Sequence, residues 1–231
     1  MHSICKSLKN ELIVSCQAEG DSPFNNPADI AKFAIAAKMG GAGGIRTEGL
    51  EKTRAVLAAV DLPVIGLIKS SYEDGYVRIT GSEKDFSSLT DAGCHIIAVD
   101  GTFRKREQKT GPDFISYIKQ KYDVVVLADI ATRSEAEACY EAGADCISTT
   151  LNGYTPETAG RNFTEPDLTH LSELVSVFRN KIPVFAEGRF NTPELAAKAI
   201  ENGAWAVVTG TAITRPQIIT KWFYDAIKKH V

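Results

Sequence analysis

The stretch that decides the fold is Pro63-Val64-Ile65-Gly66-Leu67-Ile68-Lys69, a short apolar run that begins with a proline and ends with a charge. An unbroken apolar run of this length is typical of a strand that is buried on both faces of a parallel sheet. The lysine that closes such a strand is expected at its carboxyl end, where a (β/α)₈ barrel collects its functional side chains. Lys69 is therefore our first candidate for a catalytic residue.

A second run repeats this pattern near the end of the chain. Ile182-Pro183-Val184-Phe185-Ala186-Glu187-Gly188 also begins as a proline-led apolar strand, and it ends in a carboxylate. Because the carboxyl ends of all barrel strands lie on one face, Glu187 is expected on the same face as Lys69. The two runs predict an amine and a carboxyl group at one site.

Eight segments fit buried strands that alternate with segments of helical periodicity, which is the repeat of a TIM barrel. The predicted strands lie within residues 12–17, 42–46, 63–69, 92–100, 124–129, 142–149, 184–187 and 205–209. Helices are expected to begin after Asn26, Thr132 and Thr192. We predict one (β/α)₈ TIM-barrel domain over residues 1–231, with a short N-terminal segment. A doubly wound open sheet is the alternative, although no GxGxxG motif follows the first strand.

Charge and cysteine content argue against several classes of partner. The chain has 26 Lys plus Arg and 29 Asp plus Glu, and the net charge of −3 does not predict binding to nucleic acid or to a membrane. Five cysteines without a CxxC pair predict neither a disulfide framework nor a zinc site, and they fit a reducing cytosol. The sequence shows neither a signal peptide nor an apolar run long enough to span a membrane. We expect a cytoplasmic protein.

The histidines do not predict a metal site. His2, His95, His170 and His230 all lie away from the predicted strand ends. Because catalytic metals in proteins are commonly held by clustered histidines, we expect no metal and no other cofactor.

Glycines after the last two predicted strands suggest a phosphate site. Gly188 and Arg189 follow the seventh strand, and Gly210 and Thr211 follow the eighth. Barrels often bind phosphate there through backbone N–H groups and the start of a short helix. Arg215 adds further donors, although an ordinary turn is the alternative interpretation.

A set of motifs, ordered from the first strand to the eighth, carries a resemblance to a known family. They are Val14-Ser15-Cys16-Gln17-Ala18, Gly44-Ile45-Arg46, the stretch that ends at Lys69, Ala128-Asp129-Ile130-Ala131-Thr132, Thr149-Thr150-Leu151, Gly153-Tyr154-Thr155, Ala186-Glu187-Gly188 and Ala212-Ile213-Thr214-Arg215-Pro216. Together they resemble the N-acetylmannosamine-6-phosphate 2-epimerase family. The resemblance implies a TIM barrel that inverts C2 of an amino-sugar 6-phosphate, interconverting N-acetylmannosamine 6-phosphate and N-acetylglucosamine 6-phosphate in sialic acid and amino-sugar catabolism.

The resemblance also implies roles for individual residues. It places Lys69 and Glu187 at the reacting centre and makes Gln17, Arg46, Asp129 and Arg215 ligand contacts. We add Thr149, which ends a predicted strand, and Gly188, Arg189, Gly210 and Thr211 from the phosphate loops. An amine in a dry pocket can remove a proton next to a carbonyl, because burial disfavours the charged form.

Other interpretations of these residues remain open. Lys69 and Arg46 can instead form structural ion pairs, and Asp129 can merely orient one of them. A lysine in an apolar pocket also suits a Schiff-base aldolase or lyase. A sugar-phosphate sensor without catalytic activity would retain only the phosphate site.

Three further segments carry structural predictions. Residues 70–82 are long and polar enough for a lid-like loop. The charged run 104–109 is expected to be a solvated loop, with the alternative that one arginine reaches a subunit partner or the pocket. Trp222, Phe223 and Ile227 lie in the last predicted helix, and they suggest either a homodimer interface or packing against the barrel.

Overall fold

The computed structural model describes residues 1–159 and 164–229. Its strands are β1 (Leu12–Cys16), β2 (Gly44–Glu48), β3 (Val64–Leu67), β4 (Lys69–Ser71), β5 (Val77–Ile79), β6 (Ile96–Asp100), β7 (Val125–Asp129), β8 (Cys146–Ser148), β9 (Val184–Glu187) and β10 (Ala206–Thr209). Its helices are α1 (Ser3–Ser7), α2 (Pro27–Met39), α3 (Leu50–Ala59), α4 (Glu83–Asp91), α5 (Gly111–Lys119), α6 (Arg133–Glu141), α7 (Leu168–Phe178), α8 (Pro193–Glu201), α9 (Thr211–Thr214) and α10 (Pro216–Lys228).

Eight parallel strands close into a barrel in the order β1, β2, β3, β6, β7, β8, β9 and β10. The closure is visible at Ile13 of β1, which is aligned with Gly44 on one side and with Val208 on the other. An open sheet would leave two edge strands unpaired, so the doubly wound alternative is wrong. The (β/α)₈ prediction is confirmed, and every predicted strand overlaps one strand of the barrel.

Local capping explains where several helices begin. Asn26 precedes α2, and its side chain accepts a hydrogen bond from the backbone N–H of Asp29. Thr132 and Glu135 form a reciprocal capping box at the start of α6. Such bonds satisfy N–H groups that the first helical turn leaves unpaired. The three helix starts predicted from sequence are confirmed.

Apolar side chains fill the barrel interior. They include Ile13, Ile65, Leu67, Ile96, Leu127, Phe185 and Val208. Cys5 and Leu8, from α1 and the residue after it, belong to the same buried cluster, so α1 covers the amino-terminal end of the barrel. The open end that remains is the one where the strands end at their carboxyl termini.

A close approach between a strand and its neighbouring helix explains one glycine of the stretch 63–69. A Cβ atom at Gly66 would lie 2.5 Å from Sγ of Cys94 and 3.2 Å from Cδ2 of Leu89. Glycine therefore allows the end of α4 to pack directly against β3.

The prediction of a loop at residues 70–82 is wrong in its secondary structure. The segment forms an antiparallel hairpin of β4 and β5, in which Lys69 is opposite Ile79. The missed signal is Asp74-Gly75, since Asp-Gly is a strong hairpin signal and Gly75 has a φ of +79°. As a result β3 ends at Leu67, and Lys69 begins the hairpin instead of ending the barrel strand.

The prediction of a solvated loop at residues 104–109 is also wrong in part. Arg106 is fully buried, and its Nη2 atom donates to Oδ1 of Asp100 over 2.9 Å. Arg104 donates to the other oxygen of the same carboxylate over 2.8 Å. Asp100 is itself buried. Its negative charge compensates the two arginine side chains for the hydration that they lose on burial.

Across residues 1–159 and 164–229, no helix combines the length and the apolar content that crossing a membrane requires.

Candidate active site

A cavity of about 530 Å³ opens at the carboxyl ends of the barrel strands. Most of the predicted site residues line it: Gln17, Arg46, Lys69, Glu187, Gly188, Arg189, Gly210, Thr211 and Arg215. The remaining two, Asp129 and Thr149, lie behind this lining and hold parts of it in place. The closure of the barrel thus brings residues from both halves of the chain to one site.

Asp129 holds the guanidinium of Arg46 in place. Its Nη1 atom lies 3.1 Å from Oδ1 of Asp129, and its Nη2 atom lies 2.6 Å from Oδ2. Both side chains are almost completely buried. Thr150 donates a further hydrogen bond of 2.6 Å to Oδ1 of the same carboxylate. This two-point pair fixes the plane of the guanidinium at the floor of the cavity.

Glu187 lies beside this pair at the end of β9. Its Oε2 atom is 3.2 Å from Nη1 of Arg46 and 3.4 Å from the hydroxyl of Ser148. Burial raises the pKa of Glu187 to about 7, because the charge of Arg46 lowers it less than burial and the charge of Asp129 raise it. A carboxyl group with a pKa near neutrality can both give and take a proton, which is what general acid-base catalysis needs.

Thr149 fixes the backbone that carries Glu187. Its hydroxyl donates to the carbonyl oxygen of Glu187 over 2.8 Å and accepts from the backbone N–H of Glu187 over 2.9 Å. The side chain of Thr149 is buried, so its position supports a role in holding β9 against β8.

Lys69 reaches the cavity from the first position of β4. Its side chain is 30% exposed, so it is less buried than the apolar stretch before it suggests. Its Nζ atom donates to Oε1 of Glu19, a residue of the loop after β1. Glu19 also lines the cavity. Sequence reasoning missed it because the interpretation of that loop ended at Gln17.

The opposite wall of the cavity is built from the turns after β9 and β10. Gly188 and Arg189 have φ angles of +103° and +64°, so two consecutive residues are left-handed and the chain turns sharply. Left-handed backbone is strained at a residue such as Arg189, and such strain is concentrated at functional sites. Arg189 donates to the carbonyl oxygen of Asn152 over 3.0 Å, and its guanidinium lies over the ring of Tyr154.

The turn after β10 is anchored to β1. The hydroxyl of Thr214 in α9 donates to the carbonyl oxygen of Ser15 over 2.8 Å. A Cβ atom at Gly210 would lie 3.1 Å from Cβ of Ser15, so a larger residue would separate the two segments. Gly210, Thr211 and Arg215 therefore present backbone and side-chain donors to the cavity from a fixed position.

Gln17 and Arg104 complete the polar lining. Gln17 donates from Nε2 to the hydroxyl of Ser15 over 2.9 Å, and it is buried. Arg104 lines the cavity on the hairpin side while its Nη2 atom stays bonded to Asp100. Arg104 confirms the alternative that one arginine of the charged run 104–109 reaches the pocket.

Within residues 1–159 and 164–229, no three His, Cys, Asp or Glu side chains are grouped so as to hold a metal ion. His95 accepts a hydrogen bond from the backbone N–H of Val64, the first residue of β3. His230 lies outside the described residues. Independence from metal remains a prediction.

The fold and the cavity define a (β/α)₈-barrel enzyme whose site lies at the carboxyl ends of the strands. The family described as "Putative N-acetylmannosamine-6-phosphate epimerase" matches this chain over residues 30–229. The chain belongs to this N-acetylmannosamine-6-phosphate 2-epimerase family.

Individual relatives agree with this membership. A protein of Shouchella clausii, named "Putative N-acetylmannosamine-6-phosphate 2-epimerase", is 42% identical over 99% of this chain and 100% of its own length. A protein of Clostridioides difficile with the same name is 43% identical over 96% of this chain and 97% of its own. The solved structure of the N-acetylmannosamine-6-phosphate 2-epimerase from Clostridium perfringens is 41% identical, with a TM-score of 0.90 over 97% of this chain and 96% of that one.

Proposed function

We propose that this protein interconverts N-acetylmannosamine 6-phosphate and N-acetylglucosamine 6-phosphate by removing and returning the proton at C2. This reaction belongs to the breakdown of sialic acid and other amino sugars. The observation that carries the proposal is the meeting of Lys69 and a carboxyl group with a pKa near 7, Glu187, in one cavity of a chain of this family. The geometry supports a reaction by proton transfer.

Lys69 is the proposed base at C2. In the open-chain form of the sugar the C2 proton lies next to the C1 carbonyl, so its removal leaves an enolate whose charge is shared with oxygen. Arg46 is the proposed stabiliser of this charge, because Asp129 and the barrel floor hold its guanidinium without further reorganisation. Return of the proton to the opposite face of C2 inverts the centre.

Glu187 is the proposed acid and base for opening and closing the sugar ring. Ring opening requires a proton to leave the C1 hydroxyl and another to reach the ring oxygen. A carboxyl group with a pKa of about 7 is present in both protonation states near neutrality, so it can serve both directions of the reaction.

The phosphate is proposed to lie against the turns after β9 and β10. Gly188 and Gly210 bring backbone close to the cavity without side chains in between, and Arg215 supplies a cation. Lys69 and Glu187, which are proposed to act on the sugar, line the same cavity.

Proton NMR in deuterated water tests the proposal directly. With N-acetylmannosamine 6-phosphate as substrate, we expect signals of N-acetylglucosamine 6-phosphate to appear while deuterium replaces hydrogen at C2. Starting from N-acetylglucosamine 6-phosphate should lead to the same final ratio. Unchanged spectra in both directions, with a protein that melts cooperatively, would contradict the proposed function.

We further propose a cytoplasmic enzyme that works as one barrel domain without a cofactor and forms a homodimer. Support for the dimer comes from α10, whose Trp222, Phe223, Tyr224 and Ile227 are exposed. A helix that presents four large apolar side chains to solvent is typical of an interaction surface. A second copy of the same chain is the proposed occupant.

A further inference from the structure

Glu19 connects two cations at the mouth of the cavity. Its Oε1 atom accepts a hydrogen bond from Nζ of Lys69, and the same oxygen lies 3.7 Å from Nη2 of Arg215. Glu19, Lys69 and Arg215 all line the cavity. One carboxylate of the protein thus occupies a position between the proposed base and the proposed phosphate ligand.

The charges around Glu19 keep it ionised. Burial acts to raise the pKa of Glu19, but the hydrogen bond from Lys69 and the charges of Lys69, Arg215 and Lys52 outweigh burial and lower it. At neutral pH an anion is therefore already present where the cavity concentrates positive charge. A phosphate group that approaches Arg215 meets this anion, and the two repel each other.

The contacts of Glu19 are of a kind that a ligand can break. Its side chain is 46% exposed, and the side chains of Lys69 and Arg215 are also partly exposed. Exposed ion pairs are weak, and each changes an equilibrium by less than about tenfold. A phosphate dianion carries more charge than one carboxylate, so at the same distance it attracts these cations more strongly.

We propose that Glu19 is an internal counter-ion that an anionic, phosphate-bearing ligand displaces from Lys69 and Arg215. In the empty site Glu19 balances the two cations. When phosphate binds, Arg215 pairs with it and Lys69 loses its carboxylate partner, which frees the amine to approach C2. The inference rests on the proposed function for the nature of the ligand. It adds a residue that lowers the affinity for phosphate and ties the release of Lys69 to ligand binding.

Binding of inorganic phosphate, measured by calorimetry at pH 7.5 and low salt, tests the competition. Glu19→Gln removes the charge and keeps the shape, so we expect the dissociation constant for phosphate to fall by roughly 3- to 10-fold. Glu173→Gln is the matched control, because Glu173 is also 46% exposed and pairs with a cation, Arg133, over 3.0 Å but does not belong to the cavity lining. The control should change the constant by less than about twofold. Equal or weaker binding by Glu19→Gln, or an equal gain in the control, would overturn the proposal.

A crystal structure of the unaltered protein with bound phosphate provides a test that needs no variant. We expect the Glu19 carboxylate to have left both Lys69 and Arg215. Phosphate bound at Arg215 with Glu19 still paired to Lys69 would overturn the proposal.

The two proposals fail in different experiments. Phosphate affinity is measured without turnover. If C2 exchange is missing but Glu19→Gln binds phosphate more tightly than the unaltered protein, the epimerase function is refuted and the counter-ion is supported. C2 exchange with unchanged phosphate affinity in Glu19→Gln refutes the counter-ion and supports the function.

Discussion

Arg46 and Asp129 form a buried two-point ion pair that joins β2 to β7 across the floor of the cavity, with N–O distances of 3.1 and 2.6 Å. The two strands are not neighbours in the barrel, so this pair spans its interior. Glu187 lies against the same guanidinium. The pair therefore positions a cation and influences an ionisable carboxyl group at the same time.

Asp129→Asn should destabilise the fold, because it leaves the buried charge of Arg46 without its main partner. Breaking a buried pair costs roughly 3–5 kcal/mol of unfolding free energy, which urea denaturation at pH 7.5 measures. Asp61→Asn is a suitable control, since Asp61 pairs with Lys38 in an exposed position and should leave the unfolding free energy nearly unchanged. A loss in Asp129→Asn no larger than in the control would contradict the structural role of the pair.

Lys69→Ala should abolish most turnover while phosphate still binds. A general base contributes a factor on the order of 10² to 10⁴, and the proposed phosphate contacts lie on the turns after β9 and β10. Deuterium should not enter C2 in this variant. Lys198→Ala, which removes an exposed lysine of α8 outside the cavity lining, should retain exchange. If Lys69→Ala exchanges C2 at a near-normal rate, the base lies elsewhere and Glu187 becomes the next candidate.

Replacement of Glu187 should have an effect on stability that depends on pH. The folded protein holds the pKa of Glu187 at about 7, above its ordinary value of 4.5. Between these two pH values the folded state keeps the carboxyl proton, whereas the unfolded state has released it. The protonated carboxyl group of Glu187 therefore contributes stability that is fully present below pH 4.5 and is lost as the pH rises through 7.

The glutamine in Glu187→Gln cannot ionise. The unfolding free energy of the variant minus that of the unaltered protein should therefore increase from pH 4.5 to pH 8. The expected gain is up to about 3 kcal/mol, since one pKa unit corresponds to about 1.4 kcal/mol. Urea denaturation of both proteins at the two pH values measures it. The same difference in unfolding free energy at pH 4.5 and at pH 8 would show that the pKa of Glu187 is not raised.

Chelation should leave turnover unchanged. We expect the same rate of C2 exchange before and after dialysis against EDTA, because the proposed chemistry uses Lys69, Glu187 and Arg46. A loss of rate that added divalent metal restores would refute this expectation.

The exposed face of α10 should hold two copies of the chain together. Sedimentation of the unaltered protein is expected to show a dimer, and Phe223→Lys should shift it towards the monomer by placing a charge in the apolar face. Met39→Lys adds the same charge at an exposed apolar residue of α2, away from α10, and it should leave the dimer in place. A monomer at all concentrations of the unaltered protein would contradict the homodimer.

The sequence by itself determined the barrel and the face that carries the site. The proline-led runs at 63–69 and 182–188 carry a local apolar pattern that predicts buried strands, and helix caps such as Thr132 bond to residues close in the chain. Glu187 was correctly placed at the end of its strand for this reason. The family resemblance then assigned roles that periodicity alone does not contain.

Only the tertiary structure decided which charges meet and how deeply they are buried. Arg46 and Asp129 are 83 residues apart, and Lys69 and Glu19 are 50 residues apart. Their pairing depends on how the strands close, and the burial that follows from closure raises the pKa of Glu187. The same holds for Arg106, whose charge suggested a surface loop until Asp100 was found buried beside it. Electrostatic energies depend on distance in space and on exclusion of water, and neither quantity is written in the order of residues.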